Sequence, residues 1–156
     1  MKIRLIYIQS SKEPWAEEAE SLYEQKLKAF GQIEILALKA KSHARAAADQ
    51  KKLEESKLLL SKLETQDINV LFDEGGKVFG SSVLFSEELG KMIETSRRLS
   101  FFIGGAYGVE EKAKSEFQNV WSFSGLTMNH HLAKTVALEQ IYRAMTILKG
   151  LPYHNA

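Results

Sequence analysis

The sequence has no cysteine, only two prolines and no hydrophobic run long enough to cross a bilayer. Without cysteine, both a disulfide framework and thiolate catalysis are excluded. The first apolar run, residues 2–9, is too short for the core of a signal peptide and soon becomes polar. These absences predict a cytoplasmic protein with no membrane insertion.

The sequence also lacks an excess of either charge, since 21 Lys and Arg residues are balanced by 20 Asp and Glu residues. General electrostatic binding to nucleic acid requires a basic excess, which this composition does not supply. A local basic patch remains compatible with it. Residues 39–62 are rich in lysine, although a solvated helix face is the simpler explanation for them.

The residues that are present suit one domain, because 156 residues that are 44% hydrophobic can bury a substantial core. Strand-like and helical patterns alternate along the whole chain. The predicted strands are 2–9, 33–38, 68–73, 99–105 and 119–123, and the predicted helices are 14–29, 43–64, 85–96, 109–118 and 130–149. This alternation predicts a single-domain α/β fold over residues 1–156, with a mainly parallel sheet and helices on both faces.

Three of the predicted strands end in segments of unusual composition, namely residues 72–76, 104–108 and 122–130. Ligands of open α/β sheets bind beyond the carboxyl ends of the strands. Glycine at such an end allows a ligand to approach the backbone and permits positive φ. The alternative is that these glycines only form tight turns. The pattern predicts a ligand site in which backbone groups contact a purine.

Standard nucleotide, metal and nucleophile motifs do not fit the sequence. The first strand is not followed by G-x-G-x-x-G, and no P-loop motif is present. Neighbouring His130 and His131 are expected to point apart at a helix start, and no acidic or His cluster has metal-ligand spacing. Ser124 lacks the surroundings of a nucleophile elbow. We therefore predict a site without metal.

The last predicted helix is apolar around more than one face, and the residues responsible are Leu132, Val136, Leu138, Ile141, Met145 and Leu148. Such a helix is expected to be buried on two sides, by its own sheet and by a second copy of the chain. Glu139 and Arg143 are four residues apart, which is the spacing of a local ion pair. The alternative is that Arg143 reaches a ligand or phosphate across the dimer.

Four motifs, in this order and spacing, resemble the RlmH family of SPOUT-class ribosomal RNA large subunit methyltransferases. They are G-G-x-x-G from Gly104, S-F-S-x-L-T-x-x-H from Ser122, E-Q-I-Y-R-A from Glu139 and P-Y-H from Pro152. The resemblance extends over essentially the whole chain. It implies a C-terminal trefoil knot, a homodimer and S-adenosylmethionine as cofactor. It also implies methylation of N3 of a pseudouridine in the helix 69 loop of 23S rRNA, conventionally numbered 1915, in the assembled 70S ribosome.

The resemblance also implies which residues contact the cofactor. Phe72 is at a position that is usually Leu in relatives, and Gly104 and Gly105 match the glycine pair that borders the cofactor. The loop that wraps the adenine with main-chain groups corresponds to Ser124, Gly125, Leu126, Thr127, Met128 and Asn129. Relatives commonly have Pro where this chain has Asn129, so cofactor affinity is expected to differ.

Four further residues match positions near the reacting centre, namely His130, Arg143, Tyr153 and His154. We expect His154 to assist deprotonation of the target nitrogen or to orient the base. Arg143 would stabilise the anionic base or hold a phosphate. Relatives commonly have a basic residue after the Tyr-His pair, where this chain has Asn155. Two other hypotheses remain: an α/β enzyme with a different adenine-containing cofactor, and a dimeric ribosome-associated binding module without enzymatic activity.

Overall fold

A computed structural model describes residues 1–41 and 45–155 of the chain. Its strands are β1 Lys2–Ile8, β2 Gln32–Leu38, β3 Ile68–Val78, β4 Leu99–Ile103 and β5 Asn119–Ser122. They form one sheet of order β2-β1-β4-β3-β5, and every neighbouring pair is parallel. The predicted parallel sheet is therefore confirmed, and its order places β3 between β4 and β5.

The helices are α1 Pro14–Lys28, α2 Ala48–Leu60, α3 Ser82–Glu94, α4 Glu111–Lys114 and α5 His130–Leu148. The predicted start of α2 at residue 43 is wrong by several residues, and residues 43 and 44 themselves lie outside the described part. Only four residues of the predicted helix 109–118 are helical, because the chain must return to the sheet at Asn119. The predicted end of α2 at residue 64 is four residues too late, and the boundaries of α1, α3 and α5 agree with the sequence to within three residues.

Both faces of the sheet are covered, as the sequence predicts. On one face, residues of α1, α3 and α5 form an apolar cluster with alternate strand residues such as Leu5, Val70 and Phe101. On the opposite face, α2 and α4 pack against the intervening strand residues, among them Ile6 and Phe102. The period of two along each strand explains why successive residues belong to opposite clusters.

Strand β3 contains an irregularity where the sequence predicts a turn. The pairing of β3 with β5 shifts register between Phe72 and Lys77, and both of these residues align with Trp121. A Cβ atom added to Gly76 would lie 2.7 Å from backbone atoms of Trp121. The turn predicted at residues 74–77 is therefore wrong, since the glycines permit a bulge and a close approach of β5.

Helix α5 lies on the sheet between α1 and α3, with its buried side formed by residues such as Ala137, Leu138 and Ile141. Leu132, predicted to be buried, is 49% exposed, and Leu148 is also exposed. One apolar side of α5 is thus covered by its own sheet, and the other is not covered within a single chain. The knot implied by the resemblance stays a prediction. Among the described residues, no helix has the length and apolar character needed to span a membrane.

Candidate active site

A cavity of about 290 Å³ lies at the carboxyl ends of β4 and β5 and beside residues 72–74 of β3, where the register of β3 begins to shift. The three segments singled out in the sequence all contribute to its lining. Of the residues predicted to contact a cofactor, the lining includes Phe72, Gly104, Gly105, Ser124, Leu126, Thr127 and Met128. Gly125 and Asn129 belong to the same loop but do not line the cavity. The adjacency of the three strands therefore brings together the segments that the sequence predicts to form one site.

Two neighbouring residues of β3, at the start of its irregularity, supply both an apolar and a charged part of the lining. The Phe72 ring stacks on Phe123 at 4.2 Å between centroids and on Phe101 at 5.5 Å. The next residue, Asp73, accepts a hydrogen bond of 3.0 Å from the Lys114 ammonium. Burial disfavours that ammonium, but hydrogen bonds to Glu111 and Asp73 raise the pKa of Lys114. An aromatic surface and a fixed cation–carboxylate pair thus lie side by side.

The glycine pair at the end of β4 is required by packing against protein atoms. A Cβ on Gly104 would lie 2.7 Å from Cγ2 of Val109, and a Cβ on Gly105 would overlap the Glu55 carboxylate. Neither glycine has positive φ, whereas Gly108 has φ of 75°. Among the glycines of the three segments singled out in the sequence, the expectation of positive φ therefore holds at Gly108 alone. The close packing of α2 explains Gly105 without any ligand.

Helix α2 fixes this glycine loop by two neighbouring residues that the sequence analysis did not identify. The Ser56 hydroxyl accepts a 3.0 Å hydrogen bond from the backbone N–H of Glu110. The Glu55 side chain is buried and its Oε2 has no hydrogen-bond partner. Burial raises the pKa of Glu55, while the Lys51 charge acts in the opposite direction. Nothing in the Lys- and Leu-rich sequence of α2 distinguishes these two residues, because their contacts are far away in sequence.

The loop after β5 is held by short side-chain to main-chain hydrogen bonds. The Ser122 hydroxyl donates to the carbonyl of Ser124 at 2.8 Å, and the Ser124 hydroxyl accepts from the N–H of Leu126 at 3.0 Å. Thr127 donates to the Glu74 carboxylate at 2.6 Å and so ties the loop to β3. The Leu126 side chain is 76% exposed. The loop therefore has a defined path over the cavity.

His130 lines the cavity at the start of α5. Its Nε2 is 3.1 Å from the Ser10 hydroxyl, and its buried Nδ1 has no hydrogen-bond partner. Burial, followed by the charges of His131 and Lys134, lowers the pKa of His130. A histidine in this environment is neutral near pH 7 and can accept a proton.

The two adjacent histidines do not point apart, contrary to the prediction. Their ring centroids are 4.1 Å from each other. Both rings approach the loop after β1, since His131 Nε2 is 3.2 Å from the Ser11 hydroxyl while His130 contacts Ser10. Asn129 caps the helix by accepting a 2.8 Å hydrogen bond from the N–H of His131. Among the described residues, no group of three His, Cys, Asp or Glu side chains could hold a metal ion.

A buried ion pair fixes the first turns of α5 behind the cavity. The Lys134 ammonium, whose side chain is 1% exposed, is 2.6 Å from the Glu20 carboxylate of α1. The Tyr7 hydroxyl donates to the same carboxylate at 3.0 Å. Burial and the Glu20 charge strongly raise the pKa of Tyr7. This pair went unnoticed in the sequence, because Lys134 and Glu20 come from distant helices.

Arg143, Tyr153 and His154 form a second group, which does not line the cavity. Nε and Nη2 of Arg143 donate to Oε1 of Glu139 at 3.0 and 2.6 Å, so the local ion pair is present. The Tyr153 hydroxyl donates to the same oxygen at 3.1 Å, and the guanidinium carbon lies 4.7 Å from the Tyr153 ring centroid. Nη1 of Arg143 is 3.4 Å from His154 Nδ1.

The cavity and this second group are far apart in a single chain. His130 begins α5, and Arg143 follows after about 20 Å of helix axis at 1.5 Å per residue. Of the four residues predicted to lie near the reacting centre, the structure therefore places His130 at the cavity. The other three cluster near the far end of α5.

Comparisons with known proteins agree with this architecture. A family model described as "Predicted SPOUT methyltransferase" matches residues 1–154. The chain is similar to a protein of Bdellovibrio bacteriovorus named ribosomal RNA large subunit methyltransferase H, with 44% identity over 156 residues and 99% of each chain covered. A protein of the same name from Gloeobacter violaceus is 36% identical over 157 residues, again with 99% coverage of both chains.

A solved structure is also similar in fold. It is a Legionella pneumophila protein determined with its bound cofactor SAM, with a TM-score of 0.50 and 12% sequence identity. The match covers 93% of this chain but only 66% of the other. At 12% identity, this comparison shows a similar fold and no more.

Proposed function

Since the chain belongs to the SPOUT methyltransferase family, we propose that it methylates N3 of a pseudouridine in the helix 69 loop of 23S rRNA. The observation that carries the proposal is the cavity of about 290 Å³, in which three segments meet, two of which carry motifs that resemble the family. Relatives named ribosomal RNA large subunit methyltransferase H match the chain over 99% of its length, which supports the same class of substrate. We accordingly expect the protein to act in the cytoplasm.

The lining suits S-adenosylmethionine, which would supply an activated methyl group on a positively charged sulfur. Phe72 and Phe123 provide an apolar aromatic surface for the adenine, and the loop from Ser124 to Asn129 provides main-chain hydrogen-bonding groups. Gly104, Gly105 and Met128 also line the cavity. These residues would hold the cofactor without a metal ion.

The residues of this chain would have to remove a proton from the target nitrogen. N3 of pseudouridine lies between two carbonyls and becomes nucleophilic when its proton passes to a base. A positioned base contributes about 10²- to 10⁴-fold to such a step. His130 has a lowered pKa and is able to accept a proton, and His154 lies beside the cationic Arg143. We propose that His154 takes the proton or orients the base, and that Arg143 stabilises the anion.

The separation of about 20 Å between His130 and Arg143 supports a homodimeric enzyme. Within one chain the C-terminal pair is remote from the cavity, so a second subunit would have to bring its own Tyr153 and His154 there. Exposed Leu132 and half-buried Val136 on the outer side of α5 offer an apolar surface for that subunit. A groove beside Val136 and Gln140 shares Phe123 with the cavity and would admit a partner segment.

The substrate is proposed to be the assembled 70S ribosome. With a net charge of +1, the protein is expected to make few phosphate contacts and to bind isolated RNA weakly. A shaped site that combines several elements of the ribosome would compensate for the missing charge. Binding to free rRNA should therefore be weak, and tight salt-resistant binding to a free hairpin would contradict this part of the proposal.

The decisive experiment is methyl transfer from labelled S-adenosylmethionine to 70S ribosomes that lack the modification, with free 23S rRNA as the control. Label is expected in the ribosomes, at the pseudouridine when the modified nucleotide is mapped, and far less in free rRNA. Label at another nucleotide would overturn the assigned target. Titration of the protein with S-adenosylmethionine, NAD and ATP should show binding of the first alone, whereas an enzyme with a different adenine cofactor would bind one of the others.

The proposed role of the C-terminal pair is tested by His154→Ala. Methyl transfer should fall by at least about 10²-fold while the cofactor dissociation constant stays the same, since a positioned base would be lost. Transfer at a nearly normal rate would exclude His154 as the base. Arg143→Lys tests the proposed stabilisation of the anionic base by Arg143. It should slow methyl transfer because lysine cannot replace the planar guanidinium.

A further inference from the structure

Lys26, in the last turn of α1, lies within reach of three tyrosine rings. Its ammonium nitrogen is 5.4 Å from the ring centroid of Tyr23, 5.2 Å from that of Tyr142 and 5.6 Å from that of Tyr153. These rings come from three different parts of the chain: α1, α5 and the C-terminal segment. A cation within about 6 Å of an aromatic centroid is attracted by the ring quadrupole.

The three rings also pack against one another and form a defined surface around the ammonium. Tyr142 meets Tyr153 edge to face, with centroids 4.8 Å apart and an angle of 75° between the planes. Tyr142 is 6.1 Å from Tyr23 and 5.9 Å from Phe30. The rings of Tyr23 and Phe30 thus contact Tyr142, and Tyr142 in turn contacts Tyr153.

The tyrosine rings are the partners of Lys26 in the structure. Within residues 1–41 and 45–155, no carboxylate forms an ion pair with it, whereas Lys28 lies 2.9 Å from Glu24. Lys26 is also half-buried, while Lys28 is exposed. A lysine placed against aromatic rings in this way stabilises their arrangement more than a solvated surface lysine does.

The C-terminal segment depends on Tyr153 for its position. Gly150, with φ of 62°, ends α5, and Leu151 N–H then bonds to the Thr146 carbonyl at 2.9 Å. Beyond this turn, the Tyr153 hydroxyl donates a hydrogen bond to Glu139, and the Tyr153 ring packs edge to face on Tyr142. His154 follows directly, with Nδ1 3.4 Å from Arg143. The position of the Tyr153 ring therefore determines where His154 lies.

We propose that Lys26 is a positioning residue for methyl transfer: it holds the Tyr153 ring against Tyr142 and so places His154. The inference rests on the function proposed above, in which Tyr153 and His154 act near the reacting base. Lys26 itself does not contact substrate or cofactor in this role. It acts through the C-terminal segment, at the far end of α5 from its own chain's cavity.

The first test compares steady-state methyl transfer to ribosomes by Lys26→Met, Lys26→Arg and Lys28→Met. Methionine keeps the aliphatic stem and removes the charge, so kcat should fall by about 3- to 30-fold, the range of one to several cation–π contacts. KM for ribosomes and the cofactor dissociation constant should stay unchanged. Arginine should restore kcat, because a guanidinium also stacks on aromatic rings. Lys28→Met should behave like the unsubstituted protein.

Several results would overturn the inference. Unchanged kcat in Lys26→Met would show that the charge does not position the segment. A loss confined to KM for ribosomes would make Lys26 an RNA contact instead. An equal loss in Lys28→Met would indicate a general effect of surface charge.

A second measurement does not depend on activity. Amide hydrogen exchange of Tyr153, whose N–H bonds to the Leu151 carbonyl at 3.0 Å, should become faster in Lys26→Met but not in Lys26→Arg, with α1 and α5 unaffected. Equal exchange in all three proteins would overturn the positioning role. Another outcome is that amide exchange changes as expected, while neither the variants nor the unsubstituted protein methylates ribosomes. In that case the proposed function fails, and the structural role of Lys26 stands.

Discussion

Of the four buried side-chain polar atoms without a hydrogen-bond partner among the described residues, two lie near the cavity, and the other two, on Arg4 and Asn69, lie near the amino ends of β1 and β3. The two near the cavity are Nδ1 of His130, which lines the cavity, and Oε2 of Glu55, which packs against Gly105. Such atoms are rare because leaving them unsatisfied costs free energy. The position of these two beside three convergent loops is typical of a functional site, where a ligand or solvent completes the hydrogen bonding.

The lowered pKa of His130 predicts how stability depends on pH. The unfolded chain protonates this histidine near its usual pKa of 6.5, whereas burial keeps it neutral in the folded protein to lower pH. The unfolded state therefore binds more protons between the two pKa values, and the free energy of unfolding should rise with pH through that window. Acidification from about pH 7.5 to about pH 5.5 should destabilise the unsubstituted protein more than His130→Gln. The difference is bounded by about 1.4 kcal/mol per pH unit.

Urea denaturation of both proteins at the two pH values measures this difference. Equal losses of stability on acidification would show that His130 is protonated as easily in the folded state as in the unfolded state. Because the comparison takes the difference between two proteins, titration of the carboxylates cancels from it.

At the scale of elements, the structure separates boundaries that local chemistry determines from those that packing determines. Pro14 suits the first turn of a helix, and α1 begins there. Helix α2 begins at Ala48 after an N-cap, Ala47, that makes no side-chain hydrogen bond, so the run of alanines contains no signal for its start. The segment Gly75-Gly76 matches a turn in sequence, yet tertiary contact with β5 keeps it within β3. Contacts between distant elements, such as Glu55 with Gly105, are equally invisible to local patterns.

The two glycines of β3 provide a matched pair of substitutions. A Cβ on Gly76 would lie 2.7 Å from backbone atoms of Trp121 and Val120, which cannot move without disturbing the β3–β5 pairing. Gly76→Ala should therefore lower the free energy of unfolding by about 1–3 kcal/mol, the usual cost of overpacking. On Gly75 the nearest atom is 3.3 Å away, at the end of the Asp73 side chain. Gly75→Ala should cost clearly less.

Chemical denaturation of both variants tests this difference. If Gly75→Ala and Gly76→Ala were equally destabilised, the loss would reflect a general intolerance of the bulge to side chains. It would then not result from the close approach of β5 to Gly76.

For the whole molecule, the distance between cavity and C-terminal segment has one clear consequence. The sequence predicts the cavity because its three segments belong to adjacent parallel strands, a relation determined by the fold of one chain. It cannot predict from local patterns where the segment with Tyr153 and His154 acts, since one chain holds it against Glu139 and Arg143. If two copies share each site, every working site needs a cavity from one copy and a C-terminal segment from the other.

Mixing two inactive variants tests this arrangement. Ala106→Trp places a large side chain at an exposed position of the cavity lining, and His154→Ala removes the proposed base. Each variant alone should transfer little methyl. Equimolar mixing after subunit exchange should give half heterodimers, each with one intact site, and thus about one quarter of the unsubstituted activity per chain. Cofactor binding should be lost in Ala106→Trp alone, with both melting temperatures retained. Mass spectrometry of the mixture shows whether heterodimers have formed. If heterodimers form but methyl transfer is not restored, the cavity and the base of each site come from the same chain. The C-terminal segment must then move to reach the cavity of its own chain.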